Sequence, residues 1–80
     1  MEKFRITIGS FPDKENLVAD IIYENAQWAE ITQETDELIV QFYSHPRQKY
    51  WEINLEDALE ILEKAKKKLL ALGGKRSDKE

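Results

Sequence analysis

Over residues 55–72 the apolar positions Leu55, Ala58, Leu59, Leu62, Ala65, Leu69 and Leu72 recur at steps of three and four, and Ile61 and Leu70 widen the stripe. That spacing sets one side of an α-helix apart for contact and leaves the other to charge. Eighteen residues make about five turns. The ends are marked as well. Asn54 is a good N-cap, Glu56 and Asp57 sit where the helix dipole favours acids, and Lys66, Lys67 and Lys68 lie toward the other end. Gly73-Gly74 offers a left-handed stop, and Glu60–Lys64 and Glu63–Lys67 are spaced as i,i+4 ion pairs. One long amphipathic helix needs a surface to lie on, so the rest of the chain must supply it.

Upstream the period changes to two. Phe4, Ile6 and Ile8 alternate with Lys3, Arg5 and Thr7, the pattern of a half-buried strand, and Gly9-Ser10-Phe11-Pro12-Asp13 is turn chemistry. Leu38, Val40 and Phe42 alternate with Ile39, Gln41 and Tyr43 in a segment rich in β-branched and aromatic residues. Trp28, Glu30 and Thr32 alternate with Ala29, Ile31 and Gln33, and the acidic 34–37 segment turns between these two strands. Residues 50–53 form a short extended piece leading into the helix.

Residues 13–29 admit two readings. Leu17, Val18, Ile21, Ile22, Ala26 and Ala29 fit one face of a helix, whereas Leu17, Ala19, Ile21 and Tyr23 fit one face of a strand. Ile21-Ile22-Tyr23 is a poor helix centre and Asn25 suits a tight turn, which favours strands. The expected fold is therefore α+β. An antiparallel β-meander of about four strands packs against one long C-terminal α-helix, the alternative being β-α-β-β-α with residues 13–29 helical. Residues 1–74 make a single domain, and 75–80, which contain no apolar residue, make a charged tail.

Eighty residues leave room for one core, which buries roughly 60% of the unfolded chain's surface. The 41% hydrophobic content is too high for a disordered chain, and no apolar run is long enough for a membrane span or a signal peptide. Absence of cysteine excludes disulfides, thiolate nucleophiles and cysteine-ligated zinc, and points to a reducing cytoplasm. The net charge of −4 is unevenly spread: residues 13–63 carry thirteen acids against three bases, net −10, and residues 64–80 carry net +5. An acidic body repels phosphate backbones, so nucleic acid is disfavoured as a partner and a basic protein surface is favoured.

Candidates for chemistry are few. His45 is the only histidine, in the loop Ser44-His45-Pro46-Arg47-Gln48-Lys49. Ser44 beside it makes no catalytic dyad, because consecutive side chains of an extended chain point apart. No spaced set of His and Cys suggests a metal, and no glycine-rich loop precedes a helix. Carboxylates cluster at Glu30, Glu34, Asp36 and Glu37, and again at Glu52, Glu56 and Asp57. As a catalytic pair they would need a cleft that perturbs one of them, and a domain this small has little material for one. Tyr43, Tyr50 and Trp51 bracket the 44–49 loop. With Arg47 and Lys49 they could stack bases, though sheet aromatics more often pack a core or serve as protein contacts. Lys64, Lys66, Lys67 and Lys68 with Lys75 and Arg76 make a basic helix end, a solvated face or a docking patch for an anionic partner.

The expectation is a non-enzymatic protein-binding module without cofactor, metal or catalytic residue. One form is an acidic immunity- or antitoxin-like inhibitor of a basic partner. The expected contact set is Trp28, Glu30, Glu34, Asp36, Glu37 and Tyr43, with His45 and Arg47 beside them. Two alternatives stand: a homodimer formed through an exposed strand edge such as 4–8 or 38–43, and a small-ligand domain that uses the 44–49 loop with His45 and Arg47.

Overall fold

Period-two patterning becomes four strands in chain order: β1 (Phe4–Gly9), β2 (Val18–Tyr23), β3 (Ala26–Thr32) and β4 (Ile39–Phe42). They form one antiparallel sheet of order β1-β2-β3-β4, a meander, followed by the single helix α1 (Leu55–Gly73). This architecture comes from a computed structural model, which describes residues 3–73. The α+β meander with its C-terminal helix is the expected fold, and the strand reading of 13–29 holds in place of the helix. Gly74 and the charged tail 75–80, with Lys75 and Arg76 of the basic cluster, lie outside the described residues.

The turn between β2 and β3 settles the ambiguous stretch. Glu24 and Asn25 have φ of 49° and 68°, the two positive values of a two-residue type I′ hairpin, whose twist matches that of the flanking strands. A helix through these positions would need negative φ at both. Residues 50–53, expected to be extended, form no strand among the described residues.

Register decides which side chains meet the helix. Phe4 opposes Tyr23, Ile6 opposes Ile21 and Ile8 opposes Ala19, while across the next pair Ile21 opposes Ala29 and Ala19 opposes Ile31. The register slips between Ile21 and Ile22, which leaves Trp28 as the extra residue of a β-bulge in β3. The bulge corrects one expectation. Trp28 does not alternate onto the side of Glu30 and Thr32 but joins the core with Ala29 and Ile31. There its ring meets Phe4 at 5.6 Å and Phe42 at 5.5 Å between centroids.

From α1 the core takes Ile61, Ala65 and Leu69, successive i,i+4 positions, with Ala58 and Leu62 half-buried beside them. Leu55, Leu59 and Leu72 stay exposed although they share the expected stripe. The helix is thus rotated toward Ile61, and its contacts fall on β1 and β2. Geometry requires a choice of this kind: a helix about 10 Å across covers about two strands spaced ~4.8 Å apart. Since β3 puts Trp28, Ala29 and Ile31 into the core, it is the outer strand β4 that is left bare.

Candidate functional site

The uncovered outer strand of the sheet is where the surface departs from a small protein's ordinary mixture. Strand β4 is an edge, and among the described residues no strand pairs with its outer side. The Tyr43 N–H donates to the Trp28 carbonyl at 2.9 Å, and Gln41 and Ile39 oppose Glu30 and Thr32. Antiparallel alternation then directs the backbone N–H and C=O groups of Leu38, Val40 and Phe42 outward. Large apolar side chains accompany these open groups: Leu38, Ile39, Val40 and Phe42 are 37%, 40%, 41% and 58% exposed.

Beside the strand runs a groove of about 290 Å3 between β4 and α1. Leu38, Ile39 and Val40 form one wall, Leu59 and Leu62 the other, and Ile31 lines it between them. Glu63 and Lys66 supply its polar lining. Isolated exposed apolar residues need no explanation, whereas a contiguous apolar patch along an open edge does.

The opposite edge is built differently. β1 carries Arg5 in the strand and Lys3 immediately before it, and a groove of about 470 Å3 between β1 and α1 is lined by Arg5, Lys64 and Lys68 around Phe4, Ile6 and Ile61. Cationic side chains on an edge discourage another strand from pairing there. Residues 38–43 contain no charge at all.

The residues expected to make contacts separate into two groups. Trp28 is core, and Glu30 is buried, its carboxylate accepting the Tyr43 hydroxyl while Lys Nζ of residue 14 stands 4.0 Å away. Glu34 lies in the turn after β3, and its two oxygens accept the backbone N–H groups of Glu15 and Asn16, both at 2.9 Å. Those donors hold its carboxyl below the usual carboxylate range. Glu34 thereby fastens the β1–β2 loop, helped by the Asn16 amide donating to the Gln33 carbonyl at 3.0 Å and the Gln33 amide donating to the Leu17 carbonyl at 2.9 Å. Asp36 and Glu37 are exposed at the start of β4, in a turn where Thr35 Oγ1 accepts the Glu37 N–H at 3.2 Å.

His45 also has an internal task. Its Nδ1 accepts the N–H groups of Arg47 at 3.0 Å and Gln48 at 3.1 Å, and its ring lies 4.4 Å from Trp51. The Trp51 indole N–H donates to the Tyr43 carbonyl at 2.7 Å, so the 44–49 loop folds back on the end of β4. Arg47 is exposed on that loop. The strand 38–43 is thus bracketed by acids at one end and by Arg47 and Lys49 at the other. Sequence reasoning found the strand but missed the groove. Its available signal was the uncharged run itself, set against the Lys3 and Arg5 of the other edge.

Among the described residues no group of three His, Cys, Asp or Glu is placed to hold a metal ion, and no helix is long and apolar enough to cross a membrane. No family model, curated protein or solved structure matches the chain.

Proposed function

We propose that this chain is a non-enzymatic protein-binding module that takes an extended segment of its partner along β4 and seats apolar side chains in the β4–α1 groove. One observation carries the reading. Of the two open edges of the sheet, β1 and β4, the one at β4 is without charge, and beside Leu59 it carries exposed Leu38, Ile39, Val40 and Phe42. Strand addition to an open edge is a recurrent mode of recognition, in which backbone hydrogen bonds supply affinity and pockets for alternate side chains supply specificity. The apolar patch suits an apolar segment, and the acidic turn at the start of β4 suits a cationic flank on it.

The acidic-inhibitor form of this reading is supported by Asp36 and Glu37, whose exposed carboxylates would steer a basic partner toward the strand. Glu30 and Glu34 lend it less, since both serve the fold.

Capture from a lysate of the source cells tests the reading when wild type is compared with Val40→Lys and with Arg5→Glu on the opposite edge. Captured protein lost with Val40→Lys and kept with Arg5→Glu is the expected result. Equal capture by all three sinks the docking surface.

A further inference from the structure

We infer that the segment received by β4 is β4 of a second copy of this chain, joining two sheets into one eight-stranded antiparallel sheet about a twofold axis. The inference rests on the docking reading above and names its partner. A twofold contact brings the same patch of each copy together, so the patch must complement itself when reversed. Residues 36–49 meet that condition. The exposed Asp36 and Glu37 precede the uncharged strand, and Arg47 and Lys49 follow it. Antiparallel pairing of two such strands sets the acidic turn of each copy beside the basic loop of the other, at both ends.

The backbone satisfies the same condition. With the axis at Val40, the outward N–H and C=O groups of Leu38, Val40 and Phe42 meet those of Phe42, Val40 and Leu38 in the second copy. The three cross-strand pairs on the groove side are then all apolar, the kind of pair that stabilises a sheet. The other ways of joining two copies fare worse. Pairing β1 with β1 about Ile6, through the outward backbone groups of Phe4, Ile6 and Ile8, would set Arg5 diagonally beside its own copy, a contact of like charges. Pairing β1 with β4 would leave a second edge open and build a fibre rather than a closed dimer.

The size is also suitable. A standard interface takes about 800 Å2 from each partner, about a seventh of this molecule's 5662 Å2. Both sides of β4, the Leu59 wall of the groove and the two flanking turns form one continuous region from which to draw it.

Sedimentation of the purified chain across a micromolar to millimolar series tests the inference. The expected result is a reversible rise in mass toward twice the 9.4 kDa of the chain. Val40→Lys and Ile39→Lys, one on each side of the strand, should each weaken the dimer about tenfold or more while far-UV circular dichroism stays as in wild type. Arg5→Glu should leave it unchanged. Reversing Asp36 and Glu37 to Lys should weaken the dimer, and also reversing Arg47 and Lys49 to Glu should restore it, which only reversed end-to-end pairing predicts. In hydrogen exchange the Val40 and Phe42 amides should gain protection with concentration, with Ile39 and Gln41 protected throughout. A chain that stays monomeric over the whole series, or a dimer indifferent to both strand variants, overturns this inference. Neither result decides the docking reading, which stands or falls on capture by Val40→Lys.

Discussion

The hydroxyl of Tyr43, the residue after β4, donates to the carboxylate of Glu30 on β3, diagonally across the face of the sheet that the helix does not cover. Glu30 is buried at 4% exposure, and the Lys14 ammonium lies 4.0 Å from its carboxylate. A buried carboxylate without a donor is costly, so this bond carries more than an exposed one would. It also ties the edge strand to the body of the sheet, since β4 has only one neighbouring strand to hold it.

Tyr43→Phe should therefore destabilise the fold by about 1.5–3 kcal/mol, the range for a hydrogen bond to a charged group. Urea denaturation reads the loss. Glu30→Gln in the same background should recover part of it, because the amide leaves a smaller burial penalty.

The same contact fixes a pH dependence. The bond to Glu30, then burial, then the charges of Glu30, Asp20 and Asp13 push the Tyr43 phenol up from 10.0 to about 12. A folded value above the unfolded one means that the folded state holds the proton more tightly. The associated stability is complete below pH 10 and is lost as pH rises toward about 12. Ultraviolet titration should show a tyrosine ionising near pH 12, and Tyr43→Phe should remove that step.

Glu34 behaves in the opposite sense. The backbone N–H groups of Glu15 and Asn16, followed by the Asn16 side chain and Lys14, hold its carboxyl below the usual value of 4.5. Its contribution is present above pH 4.5 and is lost as pH falls through the lowered folded value. Glu34→Gln should accelerate amide exchange at Glu15 and Asn16 and remove the acid-linked part of that change. Exchange left unaltered would mean that the loop holds itself.

How much of this was legible in the sequence depends on how local its cause is. The helix was, because its apolar spacing and the Asn54 cap are properties of neighbouring residues. So was the turn at Asn25. The Trp28 bulge was not, since it arises from register against β2. The burial of Glu30 and the internal duty of Glu34 were not either, because a carboxylate in a list of acids does not disclose the donors that the fold brings to it. Exposure of Leu38, Val40 and Phe42 escaped for the same reason. Alternation assigns them to a covered face, and only the placement of α1 over β1 and β2 leaves them bare.

Glu24 offers a gain in stability. It holds φ of 49° in the β2–β3 turn, where asparagine and glycine are at ease and glutamate is not. Its exposed ion pair with Lys3 at 3.3 Å is screened by solvent and adds little. Glu24→Asn should raise stability by about 0.5 kcal/mol, visible as a small upward shift of the melting temperature. A fall would show that the Lys3 contact matters more than the backbone.

Asn54 ties helix capping to the proposed surface. Its side-chain oxygen accepts the Asp57 N–H at 3.0 Å and its backbone carbonyl accepts the Ala58 N–H at 2.9 Å, which begins α1 just ahead of Leu55 and Leu59. Alanine here removes the side-chain acceptor and costs about 1 kcal/mol, or about 4–8 °C in Tm for a domain of this size. Asn54→Asp keeps an acceptor and adds a negative charge at the positive end of the helix dipole, so it should restore the loss. Because Leu59 forms a wall of the β4–α1 groove, fraying of the first turn should also loosen that wall. Asn54→Ala should then weaken association at β4 by a smaller factor than Val40→Lys, and Asn54→Asp should recover it. Association unchanged by Asn54→Ala, with the Tm lowered as expected, would place the docking energy in the strand alone.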